Sequence, residues 1–152
     1  MPNSRPLLCA HISVDYPQRP GVLRDLHLEV RHGEILGLAG QSGAGKSTLA
    51  LALLRLLDHH RGKVHGNLMF NDRDLLALRE REMREVRGRE IGLVLQCPAS
   101  SLNPALRIGT QLAEAWKAHA SGTRSLGDHQ IQQALHEVQL PSDGALLRRF
   151  PS

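Results

Sequence analysis

Eight residues restrict this chain more than any others: Gly40 to Ser47, reading GQSGAGKS. They match the pattern G-x-x-x-x-G-K-[ST] in full, and at ordinary residue frequencies its fixed positions coincide in a chain this long roughly once in two hundred. The surroundings agree with the motif. Before it stands ILGLAG, a short continuous apolar run that predicts a strand buried on both faces. After it, KSTLALALLRLL, residues 46–57, has no breaker and is apolar on nearly every side, which predicts a buried helix. Gly40, Gly43 and Gly45 let the backbone curl around Gln41, Ser42 and Ala44 with its N–H groups pointing inward. This makes a nest for phosphate oxygens at the positive end of the helix. Lys46 then reaches the terminal phosphates as a point charge, Ser47 offers its hydroxyl to Mg2+, and Thr48 lies near the first phosphate.

The rest of the chain surrounds this loop with an α/β pattern. LLCAHISVDY and VLRDLHLEV alternate apolar and polar residues and predict two antiparallel strands with one wet face, joined through the turn chemistry of PQRPG. KVHGNLMF predicts a further strand, NDRD a turn, and REREMREVRGRE a charged helix broken at Gly88. IGLVLQ predicts a second buried strand ending in Gln96. Two amphipathic segments, roughly 108–120 and 128–140, follow a polar loop and are separated by SGTRSLG. Interleaved glutamates make 79–90 a solvated helix face rather than a basic contact surface. Trp116 is expected to be buried within the late helical part rather than exposed on a surface that docks a membrane subunit.

Composition excludes several classes. The 152 residues suffice for one domain, with 41% apolar residues for its core. A net charge of +4 suits an anionic partner, but the basic residues are scattered. One Trp, one Tyr and two Phe give no interleaved aromatic platform, so no nucleic-acid partner is expected. Cys9 and Cys97 make no disulfide framework, and the first residues are too short in apolar character for a signal peptide, which places the chain in the cytoplasm. The longest apolar stretch falls far short of the roughly twenty residues of a membrane span. His59 and His60 are adjacent and so point in different directions, and no Cys lies near them or His65, so no structural metal is expected there.

Phosphate-loop enzymes use a second acidic residue, at the end of an apolar strand, to organise Mg2+ and water. Asp58 follows an apolar run, but that run is the helix after the loop. The other strand ends in Gln96, whose amide can ligate Mg2+ and orient water but is a poor base. Hydrolysis by this chain alone is therefore not expected.

The segment LHLEVRHGEILGLAGQSGAGKSTL, with the Gln96 strand about fifty residues after the loop, resembles the nucleotide-binding subunit of an ABC transporter. The resemblance covers nearly the whole chain. It implies a P-loop core of parallel strands with a buried helix, an N-terminal antiparallel β region over 1–34, the core over 35–96, and over 97–152 the Q-loop and start of a helical subdomain. It implies ATP and Mg2+ as ligands and Gln96 as the Q-loop residue, touching Mg2+ and the attacking water. Lys46 and Gln96 are then the catalytic candidates, Ser47 and Gln96 the metal ligands, and Tyr16 the aromatic that stacks on adenine. SLNPALRIG is similar to the segment after the Q-loop in importers of oligopeptides, dipeptides and nickel, although Cys97 stands where that branch carries an acidic or amide residue. LLRRFPS resembles the run that precedes the LSGGQ signature, so the chain reads as truncated just before it, without the signature, the catalytic Glu or the switch His. The implied partners are a second ATPase subunit, head to tail, and integral membrane permease subunits, with a solute-binding protein reached indirectly. The implied place is the cytoplasmic face of the membrane. A stand-alone nucleotide-binding fragment without turnover and a phosphate-loop kinase are the other readings, the latter opposed by the Gln-ended strand.

Overall fold

The structure, a computed structural model, describes residues 5–57, 61–96, 101–119, 124–141 and 144–151. The readings at Asp58, His59, His60 and Cys97 lie outside these residues. Residues up to Ile91 form one compact unit and those from Gly92 onward a second.

In the first unit, β1 (Leu8–Tyr16) and β2 (Arg19–Val30) form an antiparallel hairpin around Pro17 and Gln18, so Arg19 to Gly21 are strand rather than turn. Asp15 holds this end by accepting a 2.6 Å hydrogen bond from the Gly21 N–H. On its other edge β1 pairs with β3 (Lys63–Phe70), which continues into the two-residue β4 (Arg73–Asp74). Asn71 and Asp72, both left-handed, form the tight turn between them, as a two-residue hairpin requires. The sheet order is β2-β1-β3-β4, antiparallel throughout.

One face of this sheet is dry. Ala10, Ile12 and Val14 of β1 are essentially inaccessible, and Leu68 and Phe70 of β3 lie beside them. Against this face packs α1 (Lys46–Leu53) through Leu49 and Ala52, while Met83 and Val86 of α2 (Glu80–Val86) join the same core. Each fully buried aliphatic contributes about 1.5–3 kcal/mol, so this cluster is the main source of stability in the unit.

The helix after the phosphate loop is shorter than expected, ending at Leu53 instead of Leu57. Arg55 takes a left-handed backbone, and its guanidinium donates to the carbonyls of Leu75 and Leu78 at 3.1 and 2.5 Å. Left-handed geometry costs a non-glycine residue about 1–2 kcal/mol, whereas hydrogen bonds from a charged group contribute about 1.5–3 kcal/mol each. The bonds win, and the chain turns back to bury Leu57. Arg87 closes the same helix end by donating from Nε to Leu54 O at 2.7 Å, which places a cation at a helix C-terminus.

The two apolar runs predicted as buried strands are not strands here. Residues 35–40 and 92–95 carry no regular secondary structure. Ile35 is 98% exposed and Val94 88%, with Leu36, Leu38, Leu93 and Leu95 also exposed. A strand buried on both faces needs hydrogen-bonded neighbours and covering layers. Among the described residues the antiparallel sheet supplies neither; one isolated parallel bridge, Arg87 to Ile91, is the only pairing at the start of the second run.

The second unit is helical. Helices α3 (Ile108–His119) and α4 (Arg124–Glu137) occupy nearly the segments expected, and a short 3-10 turn, Leu146–Arg148, follows. Trp116 is half-buried and donates from its indole to Gln130 of α4. Its ring lies where a Cβ on Gly127 would come within 2.7 Å, so glycine permits this close helix contact. The expected burial of Trp116 within the helical part is thus partly realised.

Candidate phosphate-binding site

The loop from Gly40 to Gly45 closes on itself through a 3.2 Å hydrogen bond from the Ala44 N–H to Gln41 O. Gly43 and Gly45 are left-handed, at φ +79 and +89. Gly45 is constrained twice over, because a Cβ there would fall 2.6 Å from Leu23 Cδ2 and 3.3 Å from Val22 O on β2. The sheet therefore fixes where the loop ends and α1 begins. The first helical bond runs from the Leu49 N–H to Gly45 O at 2.8 Å, leaving the amides of Lys46, Ser47 and Thr48 without a helix carbonyl to donate to. No acidic side chain occupies the first turn.

Lys46 lies back over this loop. Its ammonium donates to Gly40 O at 2.7 Å and Gln41 O at 2.8 Å, so a positive charge is held beside the turn's carbonyls and the helix N-terminus. Ser47 is exposed at the same end and Thr48 is half-exposed. Positive charge, left-handed glycines and unbonded amides at one point form an arrangement suited to an oxyanion, and phosphate is the oxyanion the motif is built for. A phosphate-bound Mg2+ keeps most of its shell from water and phosphate oxygens, and the exposed Ser47 hydroxyl is the protein donor that this first turn could offer it.

The remaining candidates are distributed differently. Tyr16 is half-buried at the end of β1, packed on the core beside Gly62 and paired with Arg19 of β2. Arg19 precedes Val22, which touches Gly45, by three strand residues, about 10 Å along β2. Gln96 is exposed and belongs to the second compact unit, not to the one that holds the loop. Beyond it, Asn103 accepts a bond on its side chain from the Ala105 N–H at 2.9 Å. Gln111 of α3 clamps this turn, accepting from the Asn103 N–H and donating to the carbonyls of Asn103 and Leu106.

Sequence reasoning missed three residues that meet on the wet face of the hairpin: His11, Asp25 and His27. Alternation indicated that His27 and Asp25 face water, but only the strand register shows His11 opposite His27. The arginines at 55 and 87 that secure the end of α1 likewise left no pattern in the spacing.

Comparison with known proteins bears on the family of the chain as a whole. The chain is 34% identical over 160 residues to the glutathione import ATP-binding protein GsiA of Pectobacterium atrosepticum, a match covering 99% of the chain and 26% of that protein. It is 39% identical over 130 residues to a Sinorhizobium fredii protein named "Probable peptide ABC transporter ATP-binding protein", covering 85% of the chain and 39% of the relative. GsiA of Escherichia coli is 34% identical over 140 residues, 88% of the chain and 22% of the relative. The chain thus spans well under half the length of these relatives. The ABC transporter family description matches residues 23–149. With that match running from β2 through the phosphate loop to the last helical turn, the chain belongs to the ABC transporter family.

Proposed function

We propose that the chain binds ATP with Mg2+ and forms the ATP-receiving part of an importer ATPase that takes up peptides. The observation that carries this reading is Lys46 held over Gly40 and Gln41 at the open N-terminus of α1. In this assignment Gly40, Gln41, Ser42, Gly43, Ala44, Gly45, Lys46, Ser47 and Thr48 hold the phosphates. Ser47, with Gln96, serves Mg2+, and Tyr16 supplies the surface for the base. Bound Mg2+ supplies charge neutralisation at the phosphates during hydrolysis. The family match and the relatives named as import ATP-binding proteins for glutathione and for peptides support the importer reading. So does the turn at Asn103, clamped by Gln111 and exposed, as a contact with permease subunits requires.

Hydrolysis belongs to the assembled pair. In this assignment a second ATPase subunit, head to tail, completes the site, and permease subunits hold both at the cytoplasmic face of the membrane. No helix among the described residues is long and apolar enough to cross a membrane, so attachment would run through those partners. The three regions 1–34, 35–96 and 97–152 are assigned as β region, P-loop core and Q-loop with helical part.

Calorimetric titration with ATP and Mg2+ tests the site. Lys46→Ala removes the charge that faces the phosphates and should weaken binding at least about 100-fold, since a lost charge-assisted contact to phosphate is worth about 3 kcal/mol. Unchanged affinity in Lys46→Ala overturns the assignment.

A further inference from the structure

The wet face of the β1–β2 hairpin gathers side chains that the nucleotide reading does not use. Ala10, Ile12 and Val14 point into the core, so His11 points to water, and its register partner on β2 is His27. The two imidazoles stack with centroids 3.8 Å apart. Between Ile12 and Val14 the pairing slips by an extra residue on β2, and Asp25 lies in that bulge with a left-handed backbone. Bulges re-aim side chains, and here the Asp25 N–H donates to Ser13 Oγ at 3.0 Å. The result is convergence. Asp25 Oδ1 lies 2.5 Å from His11 Nε2 and 3.6 Å from His27 Nε2, and one ligand atom from each residue lies within 4.8 Å of the others.

We infer that His11, Asp25 and His27 form a surface site for a borderline divalent transition-metal ion such as Zn2+, with solvent completing the coordination. Two imidazole nitrogens and one carboxylate oxygen are the donor set such ions prefer over Mg2+ or Ca2+. A tetrahedral ion with ligands at about 2.0–2.1 Å needs them about 3.3 Å apart. His11 and Asp25 must therefore separate by under about 1 Å, and both side chains are more than half exposed and can rotate. Binding consists of exchanging protons and waters for the ion, and it ties β1 to β2. His65 and Asp15 lie on the same face, 3.6 Å from each other, and form a separate pair. This site is independent of the ATP assignment.

Titration of the full chain with ZnCl2, without nucleotide, tests the site. One equivalent should bind saturably and raise the midpoint of thermal unfolding, because an ion that binds only the folded hairpin stabilises it. His11→Ala, His27→Gln and Asp25→Asn should each weaken that binding at least about tenfold and abolish the thermal shift, since even outer-shell changes cost 10–100-fold at metal sites. His65→Ala and Cys9→Ser should leave both unchanged. The inference is overturned by the absence of saturable binding. It is equally overturned by affinity unchanged in His11→Ala and His27→Gln while both retain the wild-type circular dichroism spectrum, or by loss in His65→Ala or Cys9→Ser.

Discussion

At the scale of single residues, the phosphate loop shows which glycines the backbone demands. Gly43 and Gly45 are both left-handed, but a Cβ at Gly43 meets nothing within 4 Å, while at Gly45 it strikes Leu23 and the Val22 carbonyl. Gly43→Ala therefore bears only the left-handed cost of about 1–2 kcal/mol. Gly45→Ala adds the displacement of a buried leucine, for a total of about 3 kcal/mol or more. Urea unfolding of the two variants separates these terms, and equal losses would contradict the packing described at Gly45. The motif made both glycines visible in the sequence. That Gly45 abuts β2 was not visible, because contacts between residues 22–23 and 45 depend on how a hairpin folds over a loop, and no local pattern encodes that.

Among the elements, those whose partners lie within the described residues match their sequence patterns closely. The hairpin, β3, the charged helix and the two late helices fall within a few residues of expectation, because alternation and helical periodicity report which face is buried. Their ends were less legible. The early stop of α1 depends on Arg55 reaching carbonyls some twenty residues away, and on Arg87 reaching Leu54 O across the unit. Arg87 also donates to Glu80 at 2.6 Å, linking α2 to this end of α1. That hydrogen bond, reinforced by the charges of Arg87, Arg84 and Arg55 against slight burial, holds the Glu80 carboxyl below its ordinary value of 4.5. A carboxylate with a depressed folded-state pKa stabilises the fold above its unfolded value and ceases to do so as pH falls through its folded value. Glu80→Gln should thus be slightly less stable than the wild type at pH 7, by about 0.5 kcal/mol for so exposed a pair. The gap should shrink below pH 4.5 and close once Glu80 is protonated. Denaturant titrations at several pH values check it, and a gap independent of pH would contradict the role given to the Glu80–Arg87 pair.

For the molecule as a whole, the largest departure from the sequence reading is the pair of apolar runs at 35–40 and 92–95, which are exposed rather than paired. Their composition predicts strands buried on both faces, but such a strand is defined by its neighbours, and the described residues provide none, so the expectation fails here. The fold class was legible because the motif and its flanking patterns lie in one stretch. The full site was not, since Gln96 belongs to a different compact unit from the loop. The loop and the first turn of α1, proposed to hold the phosphates, lie together within the first unit. We propose that ATP with Mg2+ seats on the loop and the first turn of α1. Amide NMR of the full chain during titration with ATP and Mg2+ tests this most directly. Saturable shifts should concentrate at Gly40 to Thr48, with the amides of Lys46, Ser47 and Thr48 among the most affected. Shifts confined to the helical unit, or none at saturating nucleotide, would contradict it.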